Sequence, residues 1–114
     1  MFLGVRTDLG DLYRAMDLFV MPSLWEGLSL AMLSAMAAGV PVISTKVGGA
    51  SHVLDEGRGI LIQPANVFDL VNAISFSLTS ASRAIPNIDS AQKYVVENHS
   101  NALMAKRYEK IFLE

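Results

Sequence analysis

Pro22-Ser23-Leu24-Trp25-Glu26-Gly27-Leu28-Ser29-Leu30-Ala31-Met32-Leu33-Ser34-Ala35-Met36-Ala37-Ala38-Gly39-Val40-Pro41-Val42-Ile43-Ser44-Thr45 decides the fold. It reads as a strand end, a loop, a helix and a strand. Leu28 to Ala38 is rich in Leu, Ala and Met, which are strong helix formers. The run is apolar nearly all round, which predicts a deeply buried helix. Gly39 ends it. Val42-Ile43 follow Pro41 as the next strand.

Working outward, Leu18-Phe19-Val20-Met21 is a continuous apolar run stopped by Pro22. That pattern suits a strand of a parallel sheet buried on both faces. Upstream, Leu9, Leu12, Tyr13 and Met16 have helical spacing, and Asp8 can cap that helix. Phe2-Leu3-Gly4-Val5 predicts one more short strand. Downstream, Ser51 to Leu54 suits one helical turn. Glu56-Gly57-Arg58-Gly59 is a turn before the strand Ile60-Leu61-Ile62. Val67, Leu70, Val71, Ile74 and Leu78 mark one face of another helix. Thr79 to Asn87 is a polar connector. Two terminal helices occupy about residues 88–114, with Ser100 as a cap and Leu103, Met104, Tyr108, Ile111 and Phe112 as a buried stripe.

Strands alternating with helices predict one α/β domain over residues 1–114, with a Rossmann-like parallel sheet flanked by helices. About four strands are expected, where doubly wound domains carry five or six. The sheet therefore looks cut at its N-terminal side. Its open edge predicts self-association, or contact with a missing half.

Composition narrows the function. The 114 residues are 52% hydrophobic with formal net charge −2 and no cysteine. No basic footprint favours nucleic acid as a partner. Disulfides and thiolate metal sites are excluded, which suits a reducing, cytoplasmic setting. The mean hydropathy of +0.37 fits a sheet covered on both faces, or apolar surface that meets a missing partner. The longest apolar run, Leu28 to Val40, is too short to span a bilayer. No signal peptide is visible.

In open α/β sheets ligands bind beyond the carboxyl ends of the strands. The loops that leave those ends are Pro22 to Leu28 and Lys46 to Ser51. Backbone N–H groups at a helix start favour phosphate, and Gly27 lets a ligand approach the backbone. The Glu26 carboxylate is an acceptor for sugar hydroxyls. Together they suit a ligand with hydroxyls and phosphate, a nucleotide-sugar. The competing reading is that Glu26 complements the helix dipole and Gly27 makes a turn. Gly48-Gly49 either present N–H groups to a phosphate or form a tight turn; the third glycine of the dinucleotide motif is absent. His52 and His99 have no other His or Cys to complete a metal site and read as surface or capping residues. Met32 and Met36 read as core. Lys46 is a solvated lysine or a phosphate contact.

Taken together, these segments resemble the donor-binding domain of the group 1 glycosyltransferases, a retaining family with two Rossmann-like domains (the GT-B fold). The resemblance runs from Phe2-Leu3-Gly4 through Leu12 to Ser23 and the Glu26-Gly27 loop. It continues through Ala35 to Ile43, Val47-Gly48-Gly49 and Gly59 to Pro64. It implies a C-terminal donor-binding part of an enzyme that moves a hexose from a nucleotide-sugar to a glycan or lipid acceptor, as in polysaccharide biosynthesis. It also implies that Glu26 contacts the transferred sugar. Gly27, Leu28 and Ser29 would hold sugar and diphosphate, with Ser23 beside them. Gly48 and Gly49 would shape the other side of the cleft. Catalysis would need no metal and no cofactor, and a UDP-sugar is the donor of first choice.

Three departures accompany the resemblance. A second Glu of the family, eight positions after the first, binds the ribose; that position is Ser34. Losing charge-assisted hydrogen bonds to a diol costs about 1.5–3 kcal/mol, roughly 10- to 150-fold in affinity. An acidic residue often found after the glycine pair is His52. The family's Arg/Lys pair for the diphosphate, and its acceptor domain, lie outside the chain. No catalytic set is complete, and the chain alone is expected to be inactive. The alternatives are a non-catalytic binding or assembly module with the same fold and, less well matched to the Glu26 loop, a nucleotide-sugar epimerase. The expected setting is cytoplasmic, with peripheral membrane association open.

Overall fold

A computed structural model describes residues 1–79 and 87–113. Most of the predicted connector, residues 80–86, therefore lies outside the described residues. In chain order the elements are α1 (Leu9–Ala15), β1 (Phe19–Met21), α2 (Leu30–Ala37), β2 (Val42–Thr45), α3 (Ala50–Val53), β3 (Ile60–Ile62), α4 (Val67–Ser77), α5 (Ile88–His99) and α6 (Asn101–Leu113).

The three strands form one parallel sheet in the order β1-β2-β3. All four residues of β2, the central strand, are buried. The pleat divides its side chains between two cores. Val42 joins Met21 and residues of α2, α3 and α5, whereas Ile43 joins Ile62 and Ala73 of α4. Helices thus cover both faces, the Rossmann-like α/β arrangement that the continuous apolar strands predict.

The helix α2 starts at Leu30 rather than Leu28, because Ser29 is the better cap. Its backbone is extended and its Oγ accepts from the Met32 N–H at 3.2 Å. At the other end Gly39, with φ +78°, closes a Schellman turn. The Gly39 N–H bonds the Met36 carbonyl and the Val40 N–H bonds that of Ala35. Gln92 of α5 donates to the Ala37 carbonyl at 3.2 Å, and Ala91 and Val95 of α5 pack into the α2 core.

Several expectations are corrected. Phe2 to Val5 forms no strand and its apolar side chains are exposed; a lone edge segment gains nothing without a neighbour to pair with. Only one side of α2 is buried, through Met32, Leu33, Ala35 and Met36, while Leu30 and Ser34 are exposed. The buried side of α4 is Leu70, Ala73 and Ile74, not the full predicted stripe, since Val67, Val71 and Leu78 are exposed. Ser100 does cap α6 through the Leu103 N–H, yet α6 buries none of its residues. Its apolar face is present with no layer of described residues over it. Asp8 stands at the N-cap of α1, but its carboxylate pairs with Arg6 instead of an amide.

Candidate functional site

Two loops leave the carboxyl ends of β1 and β2 and touch each other. The first runs from Pro22 to Ser29, the second from Lys46 to Gly49. The Gly49 N–H donates to the Gly27 carbonyl at 3.0 Å. Gly48 has φ +51°, and a Cβ there would overlap the Glu26 carbonyl oxygen. A Cβ on Gly49 would lie 3.1 Å from Leu28 Cδ1. Gly48 is therefore demanded by the contact between loops, whereas Gly49 has an ordinary helical φ and a Cβ there would press only on the end of the exposed Leu28 side chain.

Glu26 is exposed, three residues before the helix cap Ser29. A helix dipole acts within the first turn, and the first turn of α2 holds no acidic residue. Complementing the dipole therefore does not account for Glu26. The Ser23 hydroxyl makes a long, 3.4 Å contact to Glu26 Oε2. A Cβ on Gly27 would meet no atom within 4 Å, and Gly27 has no positive φ. Nothing in the packing requires glycine there. Ser29 is buried and engaged in capping, so its side chain serves the helix.

Ser34 is not part of this loop cluster. It lies one turn along α2 from Leu30, about 6 Å by helix rise. Leu30 and Ser34 line one groove of about 600 Å³ with Leu9, Tyr13 and Arg14 of α1. Leu30 also lines a second groove, with Leu28 and residues of α6. Lys46 is exposed, and its N–H continues the sheet by bonding the Ile62 carbonyl at 2.9 Å.

His99 lines a groove with Leu28 and Leu30, and both histidines pack around one ring. His52 lies edge-on to Tyr94, with ring centroids 6.5 Å apart, and His99 packs on the same ring at 5.5 Å. His99 Nε2 is buried without a hydrogen-bond partner among the described residues. Its pKa is lowered, first by burial and then by the charges of Arg107 and His52. Arg58, read from sequence as part of a turn, is a buried structural cation. It donates to the carbonyls of Val53 at 2.7 Å and His52 at 3.1 Å, and its guanidinium lies 4.0 Å from the Tyr94 ring centre. Among the described residues no cluster of His, Asp or Glu could hold a metal. No described helix is long and apolar enough to cross a membrane.

A parallel sheet covered by helices on both faces, with joined loops beyond the carboxyl ends of its strands, defines a Rossmann-like α/β domain. The chain belongs to the group 1 glycosyl transferases, whose family model matches residues 1–80. It is 34% identical over 113 residues to the lipopolysaccharide core biosynthesis mannosyltransferase LpsB of Rhizobium meliloti, covering 92% of this chain and 32% of that protein. It is 37% identical over 75 residues to an α-1,3-galactosyltransferase of Escherichia coli that uses UDP-Gal, covering 65% of this chain and 19% of that protein. Among solved structures it matches Anabaena HepE in complex with UDP and glucose at TM-score 0.90 and 25% identity, over 98% of this chain and 31% of that one. The chain spans about a third or less of the length of these relatives. The fold is accordingly the Rossmann-like architecture of GT-B enzymes.

Proposed function

We propose that this chain forms the donor-binding wall of a retaining glycosyltransferase that takes a UDP-sugar and delivers the sugar to a glycan or lipid acceptor. The observation that carries this is the latched pair of loops. It bonds the Gly27 carbonyl to the Gly49 amide and leaves the neighbouring Glu26 exposed. Glu26 accepts hydrogen bonds from the sugar hydroxyls. The amides of Gly27 and Leu28, and those that open α2, meet the diphosphate. The nucleoside runs along Leu30 to Ser34. HepE of Anabaena was solved with UDP and with UDP-glucose, which supports uridine as the nucleoside. The absence of cysteine suits a cytoplasmic setting.

Transfer needs donor and acceptor held together. One wall of a cleft binds but does not position an acceptor, so the chain alone shows no turnover. The apolar face of α6 and the free edge of β1 meet the rest of the enzyme in this reading. Ser34 favours a second reading, a non-catalytic module that keeps the fold, because a serine hydroxyl replaces a charged acceptor at the ribose end.

Calorimetry of the folded chain with UDP, GDP and ADP separates the two. The donor reading expects saturable binding with UDP preferred. No heat at millimolar nucleotide contradicts it. Ser34→Glu tests the register: nucleotide binding should tighten roughly 10-fold or more. Unchanged affinity would remove Ser34 from the ribose pocket.

A further inference from the structure

Thr45 ends β2 and is 2% exposed. The ladder between β1 and β2 stops at the pair Met21 and Ser44. Beyond Met21 comes Pro22, which has no N–H to offer a further rung. Thr45 supplies a link with its side chain instead. Its hydroxyl donates to the Ser23 carbonyl at 2.6 Å, a contact between residues 22 apart in sequence. This bond is at the short end for O–H donors.

A second anchor closes the same loop from the other side, where the Gly49 N–H bonds the Gly27 carbonyl. Between the anchors lie Leu24, Trp25 and Glu26, all exposed. Their burial contributes little to holding the segment in one shape. The loop's conformation therefore depends on its two ends.

We propose that Thr45 is a positioning residue: its hydroxyl latches the Glu26 loop in the form that presents the Glu26 carboxylate to a bound sugar. The inference rests on the donor-site reading for its sugar, but the latch itself is a property of the free chain. A threonine in a strand also fits simply because it is β-branched. Valine keeps that branching and removes only the donor, so the hydroxyl is what the substitution tests.

The experiment uses the full chain with Thr45→Val and Thr45→Ser and two readouts. One is hydrogen exchange of the Gly49 amide. The other is the ratio of UDP-glucose to UDP affinity. Thr45→Val should speed Gly49 exchange and weaken UDP-glucose more than UDP, shrinking the affinity ratio, each by about 3- to 10-fold. Thr45→Ser should restore both. Unchanged exchange in Thr45→Val overturns the latch, and faster exchange with an unchanged ratio overturns its role in presenting Glu26. Should the parent chain bind neither UDP nor UDP-glucose, the donor reading and the positioning role fall together, while exchange alone still decides whether the latch exists. Thr45→Ala, which places no methyl against the Ser23 carbonyl, carries the same readouts if the valine variant does not fold.

Discussion

Gly27 and Gly48 look alike in sequence and differ in what they do. Gly48 needs its positive φ and has no room for a Cβ against Glu26. Gly27 needs neither. Gly48→Ala should lower stability by about 1–3 kcal/mol in urea unfolding, through strain and loss of the loop contact. Gly27→Ala should change stability by less than about 0.5 kcal/mol. It should nevertheless weaken UDP-sugar binding, since a methyl then covers the backbone that the diphosphate meets. A Gly27→Ala chain with full donor affinity would show that the diphosphate lies elsewhere.

Elements were legible where one residue type dominates the local physics. Gly39 ends α2 and Ser100 starts α6 because a positive φ and a hydroxyl acceptor are local demands. Pro22 and the apolar run before it gave β1 for the same reason. The helix faces were less legible, because periodicity says which residues share a face and not whether anything covers it. The stripe on α6 illustrates this. Thr45 and Arg58 left no signal at all. Their partners, Ser23, Val53 and Tyr94, become neighbours only through the fold.

Arg58 joins α3 to α5, and Arg58→Ala leaves the last carbonyls of α3 unpaired. It should cost about 2–4 kcal/mol by urea unfolding. Glu56 is largely exposed in its pair with Arg58, and Glu56→Gln should cost less than about 0.5 kcal/mol. At the α5–α6 junction, His99 is held below its ordinary pKa of 6.5 by burial first, then by Arg107 and His52. The folded chain therefore binds fewer protons there than the unfolded chain. Stability from this group is full above pH 6.5 and falls as the pH drops below that value. The urea midpoint should decline as the pH falls below 6.5, and His99→Gln should flatten that decline. An unchanged slope in the variant would assign the acid loss to other groups.

At the scale of the molecule, the chain is elongated, 49 Å against 29 and 27 Å. Its well-buried part is small: a three-stranded sheet, the inner faces of α2, α4 and α5, and the short helix α3. The loop junction sits at one end of that sheet, supported by β2, whose residues are all buried. The exposed apolar residues of α6 and of Met1 to Val5 lie outside it. The site carries open apolar surface of its own at Leu24, Trp25, Leu28 and Leu30, and Leu28 and Leu30 line one groove with Met104, Tyr108 and Ile111 of α6.

The most direct measurement is an amide NMR titration of the chain with UDP-glucose. The donor-site account predicts saturable shift changes at Glu26 to Ala31, Ser34 and Val47 to Ala50, with those at Glu26 and Gly27 reduced when UDP replaces UDP-glucose. Shifts confined to other surfaces, or none at millimolar UDP-glucose, would contradict it.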